Sequence, residues 1–373
     1  MKKIILIPVL FLLCINVFAQ KVITCSEAGN FSEGLASIKV DDKWGFINTT
    51  GDIVIKPKYS NPFEQPVFSD GLCGLLDPAT KKWGYINKAD SIVIPFVLYT
   101  YTPFYDKFTV NYAAGSANGK LLARWRIINK KGEIILETSP NDYSYKTYFK
   151  EGLARLSKKS KYGFMDTTGK VAIENKYDDV RDFSEGFAAV KLNGKWGFID
   201  SKGNVKIDFQ YTEEPMPFSC ARAFVRGANN KWALIDTLNK IIISPTFEQV
   251  FPFAEGLGIV SLRDAKGTEF FKIIDVDGKS VKEYKPTGKE KDIINFKSGF
   301  SEGLAIANQG YGNNLGYVDS KGKTAIGFSF SALHSFSDGL AYAEKVDPKT
   351  NKTTKGFIDK KGKFVIVLEA SQF

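Results

Sequence analysis

Alternating apolar and polar residues define one repeated unit, which is clearest in the middle of the chain. Residues 186–192 and 195–199 each alternate with the two-residue period of a β-strand. Asn193-Gly194 lies between them and tolerates the positive φ angles of a tight hairpin. A third alternating run, residues 204–211, follows the turn sequence Asp200-Ser-Lys-Gly. The pattern predicts a three-stranded antiparallel meander.

The unit recurs nine times when the chain is aligned on that turn. Four residues before each turn is a slot that is mostly aromatic, and all five tryptophans of the protein occupy it. In chain order the slot holds Trp44, Trp83, Trp125, Tyr162, Trp196, Trp232, Phe271, Leu315 and Lys355. The turns begin with Asn48, Asn87, Asn129, Asp166, Asp200, Asp236, Asp275, Asp319 and Asp359. Such a register, kept across unequal spacers, indicates a repeat architecture.

Seven copies open with Phe-Ser-Glu-Gly-Leu-Ala or a close variant, and copies three and six lack it. The acidic residues of this phrase are Glu33, Asp70, Glu151, Glu185, Glu255, Glu302 and Asp338. Catalysis needs one site with two differently tuned carboxylates, whereas these are seven equivalent ones. We therefore expect them to accept hydrogen bonds from backbone N–H groups in turns.

One meander buries too little apolar surface to be stable alone, so the units must stack on one another. The sequence thus predicts an all-β fold of about nine tandem meanders, stacked as an open β-solenoid or a propeller-like array. Propeller blades usually have four strands and number up to eight, whereas a solenoid tolerates nine units with degenerate ends. We favour the open array or a strongly curved, propeller-like version of it.

The first residues have the organisation of a signal peptide: a basic start, an apolar stretch too short to span a bilayer, and a Val-Phe-Ala cleavage sequence. We predict a signal peptide at 1–19, a lead-in at 20–30, the repeat array at 31–366 and a tail at 367–373. We expect export through the Sec pathway to the periplasm, the outer membrane or the medium, and no integral membrane protein. Export makes nucleic acid an improbable partner despite the net charge of +10.

Few residues offer catalytic or metal-binding chemistry. His334 is the only histidine, which excludes a histidine-based metal cluster. Cys25, Cys73 and Cys220 follow the signal peptide, and their odd number does not indicate a disulfide framework. We predict no catalytic residue, no metal site and no cofactor.

A basic residue precedes the aromatic slot in the first six copies. If the units stack in register, these side chains form a ladder beside the tryptophans, which could hold an acidic glycan or lipopolysaccharide. The candidate binding face comprises Lys43, Trp44, Lys82, Trp83, Lys195, Trp196, Lys231 and Trp232. The interpretation we favour is structural: lysines blunt a solvated strand edge, and tryptophans pack between units.

The phrase Lys-Trp-Gly-Phe-Ile-Asp-x-x-Gly-Lys, preceded by Phe-Ser-Glu-Gly-Leu-Ala, resembles the WG-repeat (KWG-repeat) family of bacterial proteins over nearly the whole array. The resemblance implies an all-β repeat array that serves as a binding or structural module. The Trp-Gly pair is intact at Trp44-Gly45, Trp83-Gly84 and Trp196-Gly197. Arg126, Ala233 and Lys272 replace the glycine, and Leu315 and Lys355 replace the tryptophan. We expect the last copies to pack differently or to cap the array.

We therefore expect an exported, non-enzymatic repeat protein that acts as a binding or scaffold module for a protein or a cell-envelope glycan. Two alternatives remain open. One is an envelope hydrolase whose site lies in the irregular segments 100–120 or 279–296. The other is a purely structural spacer of the envelope.

Overall fold

The computed structural model describes residues 20–60, 65–117, 120–138, 144–145, 148–227, 229–285 and 287–370. The predicted signal peptide and its cleavage site lie outside these residues. The described chain forms nine small β-sheets and one 3₁₀ turn, Glu290–Asp292. The sheets are the blades of a nine-bladed β-propeller, which confirms the all-β, propeller-like prediction.

The strands follow the chain from blade to blade, except that β1 (Lys21–Thr24) belongs to blade 9. Blade 1 contains β2 (Glu27–Ser32), β3 (Leu35–Val40), β4 (Lys43–Asn48) and β5 (Ile53–Tyr59). Blade 2 contains β6 (Leu72–Leu76), β7 (Trp83–Asn87) and β8 (Ile92–Leu98). Blade 3 contains β9 (Phe108–Ala117), β10 (Lys120–Asn129) and β11 (Ile134–Thr138).

The middle blades repeat this order. Blade 4 contains β12 (Ser144–Tyr145), β13 (Leu153–Lys158), β14 (Lys161–Asp166) and β15 (Val171–Tyr177). Blade 5 contains β16 (Asp179–Val180), β17 (Phe187–Leu192), β18 (Lys195–Asp200) and β19 (Val205–Tyr211). Blade 6 contains β20 (Arg222–Arg226), β21 (Trp232–Asp236) and β22 (Ile241–Phe247).

The last three blades complete the ring. Blade 7 contains β23 (Val250–Ala254), β24 (Leu257–Arg263), β25 (Glu269–Asp275) and β26 (Ser280–Glu283). Blade 8 contains β27 (Ile294–Phe296), β28 (Leu304–Gln309), β29 (Leu315–Asp319) and β30 (Thr324–Phe330). Blade 9 contains β31 (Ala332–Leu333), β32 (Ala341–Val346), β33 (Thr353–Ile358) and β34 (Phe364–Glu369).

The predicted three-stranded meander forms the last three strands of each blade. Within the described residues, the short segment before the meander adds a further strand in six blades, as β16 does when Asp179 and Val180 pair with Lys191 and Val190. These segments carry no alternation of their own, so the sequence pattern placed them among the spacers. The blade is therefore larger than the predicted unit, because the chain entering it supplies another hydrogen-bonded edge.

The ring is closed by the start of the chain. Strand β1 pairs in parallel with β34, in a register that opposes Lys21 to Ile366 and Thr24 to Glu369. Ile23 packs in one buried cluster with Phe31 of blade 1 and Phe357 of blade 9. The array is thus a closed propeller, not an open solenoid, and the last copies are full blades and not a cap. The predicted lead-in, residues 20–30, supplies β1 and the beginning of β2.

The glycine of the Trp-Gly pair allows a bulge in the neighbouring strand. In blade 5 Trp196 pairs with Tyr211 and Phe198 with Ile207, so the last strand has two extra residues opposite Gly197. A Cβ at Gly197 would lie 2.5 Å from the carbonyl oxygen of Ile207. Real Cβ atoms do not approach that closely, so the bulge selects glycine.

Three blades have another residue in place of this glycine, and their strand pairing depends on the size of its side chain. Arg126 pairs regularly with Glu137 in blade 3, and Lys272 pairs regularly with Glu283 in blade 7, without the wide bulge. Ala233 in blade 6 keeps the bulge with a methyl group. A large side chain at this position therefore goes with regular strand pairing.

Candidate functional site

The acidic residue of the opening phrase links its blade to the next one. Glu185 and Gly186 have φ angles of 52° and 81° and form a two-residue turn between Ser184 and Phe187. The Glu185 carboxylate accepts hydrogen bonds from the backbone N–H groups of Cys220 and Ala221 in blade 6, each at 2.7 Å. The prediction that these residues accept backbone N–H groups is confirmed, and the N–H groups belong to the turn of the following blade.

The same contact occurs at every blade junction, and we call the set the inter-blade circuit. Its acceptor and donor residues are Glu33 and Gly71, Asp70 and Lys107, Asp106 and Gly152, Glu151 and Gly186, Glu185 and Ala221, Cys220 and Gly256, Glu255 and Gly303, Glu302 and Gly339, and Asp338 and Gly34. Sequence reasoning missed two acceptors, Asp106 and Cys220. Both lie two residues after a phenylalanine, as the other acceptors do, and that spacing could have identified them.

The serine of the phrase adds a second contact across the same junctions. Its hydroxyl donates to the carbonyl oxygen of the phenylalanine that opens the next copy, as Ser184 does to Phe218 at 2.8 Å. The equivalent pairs are Ser32 and Phe68, Ser69 and Phe104, Ser219 and Phe253, and Ser301 and Phe336. The repeated phrase therefore supplies the hydrogen bonds between neighbouring blades. Its carboxylates serve as acceptors in these structural bonds.

The described residues include no group of three or more His, Cys, Asp or Glu side chains placed to hold a metal ion. His334 lies at the junction of blades 9 and 1, where its Nδ1 is 2.6 Å from Oδ1 of Asn30. Partial burial lowers the pKa of His334, and the nearby Glu344 carboxylate opposes that shift. Its contacts are those of a residue at a blade junction.

The cysteines are free thiols in the described structure. Cys25 and Cys73 are buried, and burial raises the pKa of Cys25 to about 11 and that of Cys73 further still. Both are thus protonated near neutral pH, when they are poor nucleophiles. Cys73 fills a small buried position, where the equivalent residue of blade 1 is Ala36.

The tryptophans of the candidate binding face are largely interior. Trp44, Trp83 and Trp196 are buried, and Trp232 is half-buried. Trp196 packs in a cluster that also contains Phe218 of the next blade. This position agrees with the interpretation of the tryptophans as packing between units.

The lysines beside them contact neighbouring side chains of the same region. Lys43 Nζ lies 3.4 Å from the Ser60 hydroxyl, and Lys82 Nζ lies 3.2 Å from the centre of the Tyr99 ring. The second contact has the geometry of a cation–π interaction.

Blades 5 and 6 differ in how their lysines are held. Lys231 forms an ion pair with Glu248, which also binds Arg263, and the Lys231 hydrogen bond lowers the pKa of Glu248. Lys195 is exposed. The structure thus places these lysines on the surface, and their binding of a polyanion stays a prediction.

A different surface feature escaped the sequence reasoning. In blades 1–6 the first residue of the last strand is a branched aliphatic whose side chain is 37% to 59% exposed. We call these six residues the aliphatic row: Ile53, Ile92, Ile134, Val171, Val205 and Ile241. The sequence did contain a signal for the row, because each of its residues stands two positions after the last turn residue. Strand alternation alone, however, does not say which face of the strand is exposed to solvent.

Known structures resemble this chain in fold. Within the described part of the chain, no helix is long and apolar enough to cross a membrane. No curated protein matches the sequence. The crystal structure of a eukaryotic initiation factor is similar over 90% of this chain and 94% of that chain, with a TM-score of 0.57 and 11% identity. At this identity the similarity concerns the fold alone.

Two bacterial structures are more distant. Apo AztD from Citrobacter koseri aligns over 80% of this chain and 84% of that chain, with 13% identity and a TM-score of 0.32. A Quinonprotein alcohol dehydrogenase-like protein from Bacteroides thetaiotaomicron aligns over 93% of this chain and 92% of that chain, with 11% identity and a TM-score of 0.31.

The family model described as "WG containing repeat" matches seven segments, residues 23–44, 44–61, 83–110, 162–196, 196–232, 232–264 and 316–345. These segments cover more than half of the sequence and include the Trp-Gly positions of blades 1, 2 and 5. The chain belongs to the WG containing repeat family.

Proposed function

We propose that this protein is an exported, non-catalytic propeller scaffold that binds another protein along the aliphatic row. The observation that carries the proposal is the repetition of an exposed aliphatic side chain at one position in six successive blades. Exposed apolar surface that extends over several elements is characteristic of interaction sites. The repeated carboxylates accept hydrogen bonds in the inter-blade circuit, which supports a non-catalytic role for the protein.

The fold itself does not require aliphatic residues in the row. Blades 7 and 8 have Ser280 and Thr324 at the same position, also exposed, in strands that pair normally. An aliphatic side chain kept in water at this position therefore contributes little to the packing of its blade. Burial against a partner would stabilise a complex by about 25 cal/mol per Å² of apolar surface.

The chemistry of the row favours a protein as the partner. Branched aliphatic side chains bind apolar side chains and offer no hydrogen bonds to a polar glycan. Two further exposed aliphatic residues stand near row residues in the sequence: Val54, 44% exposed, follows Ile53, and Leu238, 85% exposed, lies in the turn before Ile241. A partner that contacts several blades at once gains affinity from each contact.

In-cell cysteine labelling tests the row. In a Cys220→Ser background, Ile92→Cys is compared with Thr324→Cys, since both residues are exposed and begin the last strand of their blade. An impermeant maleimide should label both sites in the purified protein. In a cell-envelope preparation Ile92→Cys should be protected, whereas Thr324→Cys should still react.

A second change tests whether the row itself gives the protection. Ile134→Lys with Val171→Lys places charges at the row positions of the next two blades, and we expect labelling of Ile92→Cys to return. The matched control is Ser280→Lys with Thr324→Lys, which adds the same charge outside the row and should leave Ile92→Cys protected. Equal labelling of Ile92→Cys in the purified protein and in the envelope preparation would contradict the proposal.

Export is tested separately. The proposal predicts a mature amino terminus at Gln20 in the extracytoplasmic fraction, read by mass spectrometry of the terminal peptide. An uncleaved chain confined to the cytoplasm would refute it.

A further inference from the structure

Blade 8 contains a cavity of about 240 Å³ beside the hairpin that joins β28 and β29. The cavity lies outside the aliphatic row, because blade 8 has Thr324 at the row position. Its polar and apolar side chains are Asn295, Lys297, Asn308, Tyr311, Asn313 and Leu315.

The equivalent position in blade 1 is filled by an ion pair and a tryptophan. Glu27, Lys39 and Trp44 lie side by side on three adjacent strands. Lys39 Nζ is 2.9 Å from Glu27 and 5.7 Å from the centre of the Trp44 ring. The Glu27 hydrogen bond raises the pKa of Lys39. The lysine thus contacts both the acid and the indole.

Blade 5 places Asp179, Lys191 and Trp196 in the same register on adjacent strands, and there Asp179 forms an ion pair with Arg181. Lys191 Nζ lies 5.8 Å from the centre of the Trp196 ring. The acid, the lysine and the tryptophan therefore form a filling that recurs in the repeat.

Blade 8 replaces all three members with smaller, uncharged residues. Asn295, Asn308 and Leu315 occupy the positions of the acid, the lysine and the tryptophan. The lost indole and lysine stem open the cavity, and two amides line it instead of an ion pair. Amides thus replace the charged pair in the interior of the site, and the exposed Lys297 is the one charged side chain of its lining.

Asn308 is the buried polar group of this pocket, with 6% of its surface exposed. Its Nδ2 donates to the carbonyl oxygens of Gly310 and Gly312 at 3.2 and 2.9 Å, which sets the orientation of the amide. No donor among the described residues reaches its Oδ1. Asn308 thus contributes an uncharged amide, held in one orientation, to the lining of the cavity.

Tyr311 stands at the mouth of the pocket and is 82% exposed. Its backbone N–H donates to Glu290 at 3.2 Å, and Gln309 donates to the carbonyl oxygen of Lys291 at 2.6 Å. Glu290 and Lys291 therefore anchor the loop that presents the ring. An exposed tyrosine held in this way offers an apolar face beside amide groups.

We propose that the blade 8 pocket binds one sugar residue of a neutral glycan. Lys297 and Asn313 offer donors to the hydroxyl groups of a sugar, and the Tyr311 ring can cover the C–H face of a pyranose. A cavity of about 240 Å³ has room for one pyranose ring. This site adds a ligand to the proposed scaffold, and either proposal can fail while the other stands.

Saturation-transfer NMR on the whole chain tests the pocket with methyl glycosides of glucose, galactose and N-acetylglucosamine, and with glucuronate. We expect saturable binding of at least one neutral glycoside. Tyr311→Ala should weaken it roughly fivefold to tenfold, and Tyr311→Phe should retain it. Tyr99→Ala removes an exposed tyrosine of blade 2 and should leave binding unchanged.

A fold-preserving variant decides whether the pocket is the site. Asn295→Asp, Asn308→Lys and Leu315→Trp together restore the filling of blade 5, so the protein should keep its melting temperature and lose sugar binding. Three results would overturn the proposal: no neutral glycoside binds, glucuronate alone binds, or the filled variant binds as well as the natural protein.

Discussion

Oδ2 of Asp338 accepts a hydrogen bond from the backbone N–H of Gly34 at 2.8 Å, although the two residues are 304 positions apart in the chain. Together with the pairing of β1 and β34, this bond joins the last blade to the first. Seven of the other eight junctions use the same carboxylate bond between neighbouring copies, and the junction of blades 6 and 7 uses Cys220 Sγ as its acceptor. The repeated acidic residue is therefore a joint of the ring, and closure uses the joint already present at every other blade.

Loss of the closing bond should lower stability measurably. Asp338→Ala leaves the Gly34 N–H without its acceptor, and we expect the free energy of unfolding to fall by about 1–3 kcal/mol in urea titrations. Asp338→Asn keeps one acceptor oxygen and should lose less. The control is Asp42→Ala, since Asp42 has a φ of 58°, close to the 54° of Asp338, and makes no bond to another blade. Equal losses for Asp338→Ala and Asp42→Ala would show that the bond contributes nothing.

The junction of blades 6 and 7 has no carboxylate, so an acceptor can be added there instead of removed. Cys220 Sγ lies 3.4 Å from the backbone nitrogen of Gly256, and sulfur is a weak acceptor. Cys220→Glu supplies the acceptor used by the other junctions, so we expect the protein to gain about 1 kcal/mol of stability. Cys220→Ala controls for loss of the thiol and should give no gain. A Glu variant no more stable than the Ala variant would contradict the assignment of this position to the circuit.

The Trp-Gly pair gives a prediction about backbone packing. Gly197→Ala places a methyl group 2.5 Å from the Ile207 carbonyl oxygen, and we expect a loss of about 1–3 kcal/mol by thermal or urea unfolding. Gly327→Ala is the matched control, because a Cβ there meets no atom within 4 Å. If the two variants unfold alike, the bulge does not explain the glycine of the repeat.

The aspartates of the turns predict that the stability of the protein falls at acidic pH. The side chain of Asn204 donates to Asp200 and holds the pKa of that carboxyl below its usual range. The stabilising contribution of Asp200 is thus present above about pH 4 and is lost as the pH falls through the lowered pKa. Asp200→Asn copies the residue that begins the turn in blades 1–3 and does not titrate.

We expect the stability of Asp200→Asn to decline less than that of the natural protein between about pH 5 and about pH 3, measured by urea unfolding. Asp208→Asn removes the same charge from an exposed strand position and serves as the control. Parallel pH curves for the natural protein and Asp200→Asn would count against this role of the turn.

The repeat itself could be predicted because its signals are local. Strand alternation, the Asn193-Gly194 hairpin and the turn at Asp200 each lie within a few residues, and each forms as expected. The acceptor role of Glu185 also followed from sequence. Its partner did not, since the N–H groups of the next turn lie 35 and 36 residues further along the chain.

The closure and the candidate sites depend on contacts between distant residues. Ile23 stands in a short strand that carries no repeat phrase, so nothing in the sequence assigned it to blade 9. The pocket requires Asn295, Asn308 and Leu315 to be neighbours, which only the strand register establishes. Propeller and solenoid share one local pattern, and the difference between them lies in where the two ends of the chain meet.

Closure of the ring is tested most directly by a disulfide across its seam. Val22 and Val367 are paired residues of β1 and β34, and Val22 is 52% exposed. After Cys220→Ser, mild oxidation of a Val22→Cys, Val367→Cys double variant should give an intramolecular bridge, seen at high dilution as a reducible shift in electrophoretic mobility. Failure to form the bridge, or formation only between molecules at high concentration, would contradict the closed propeller.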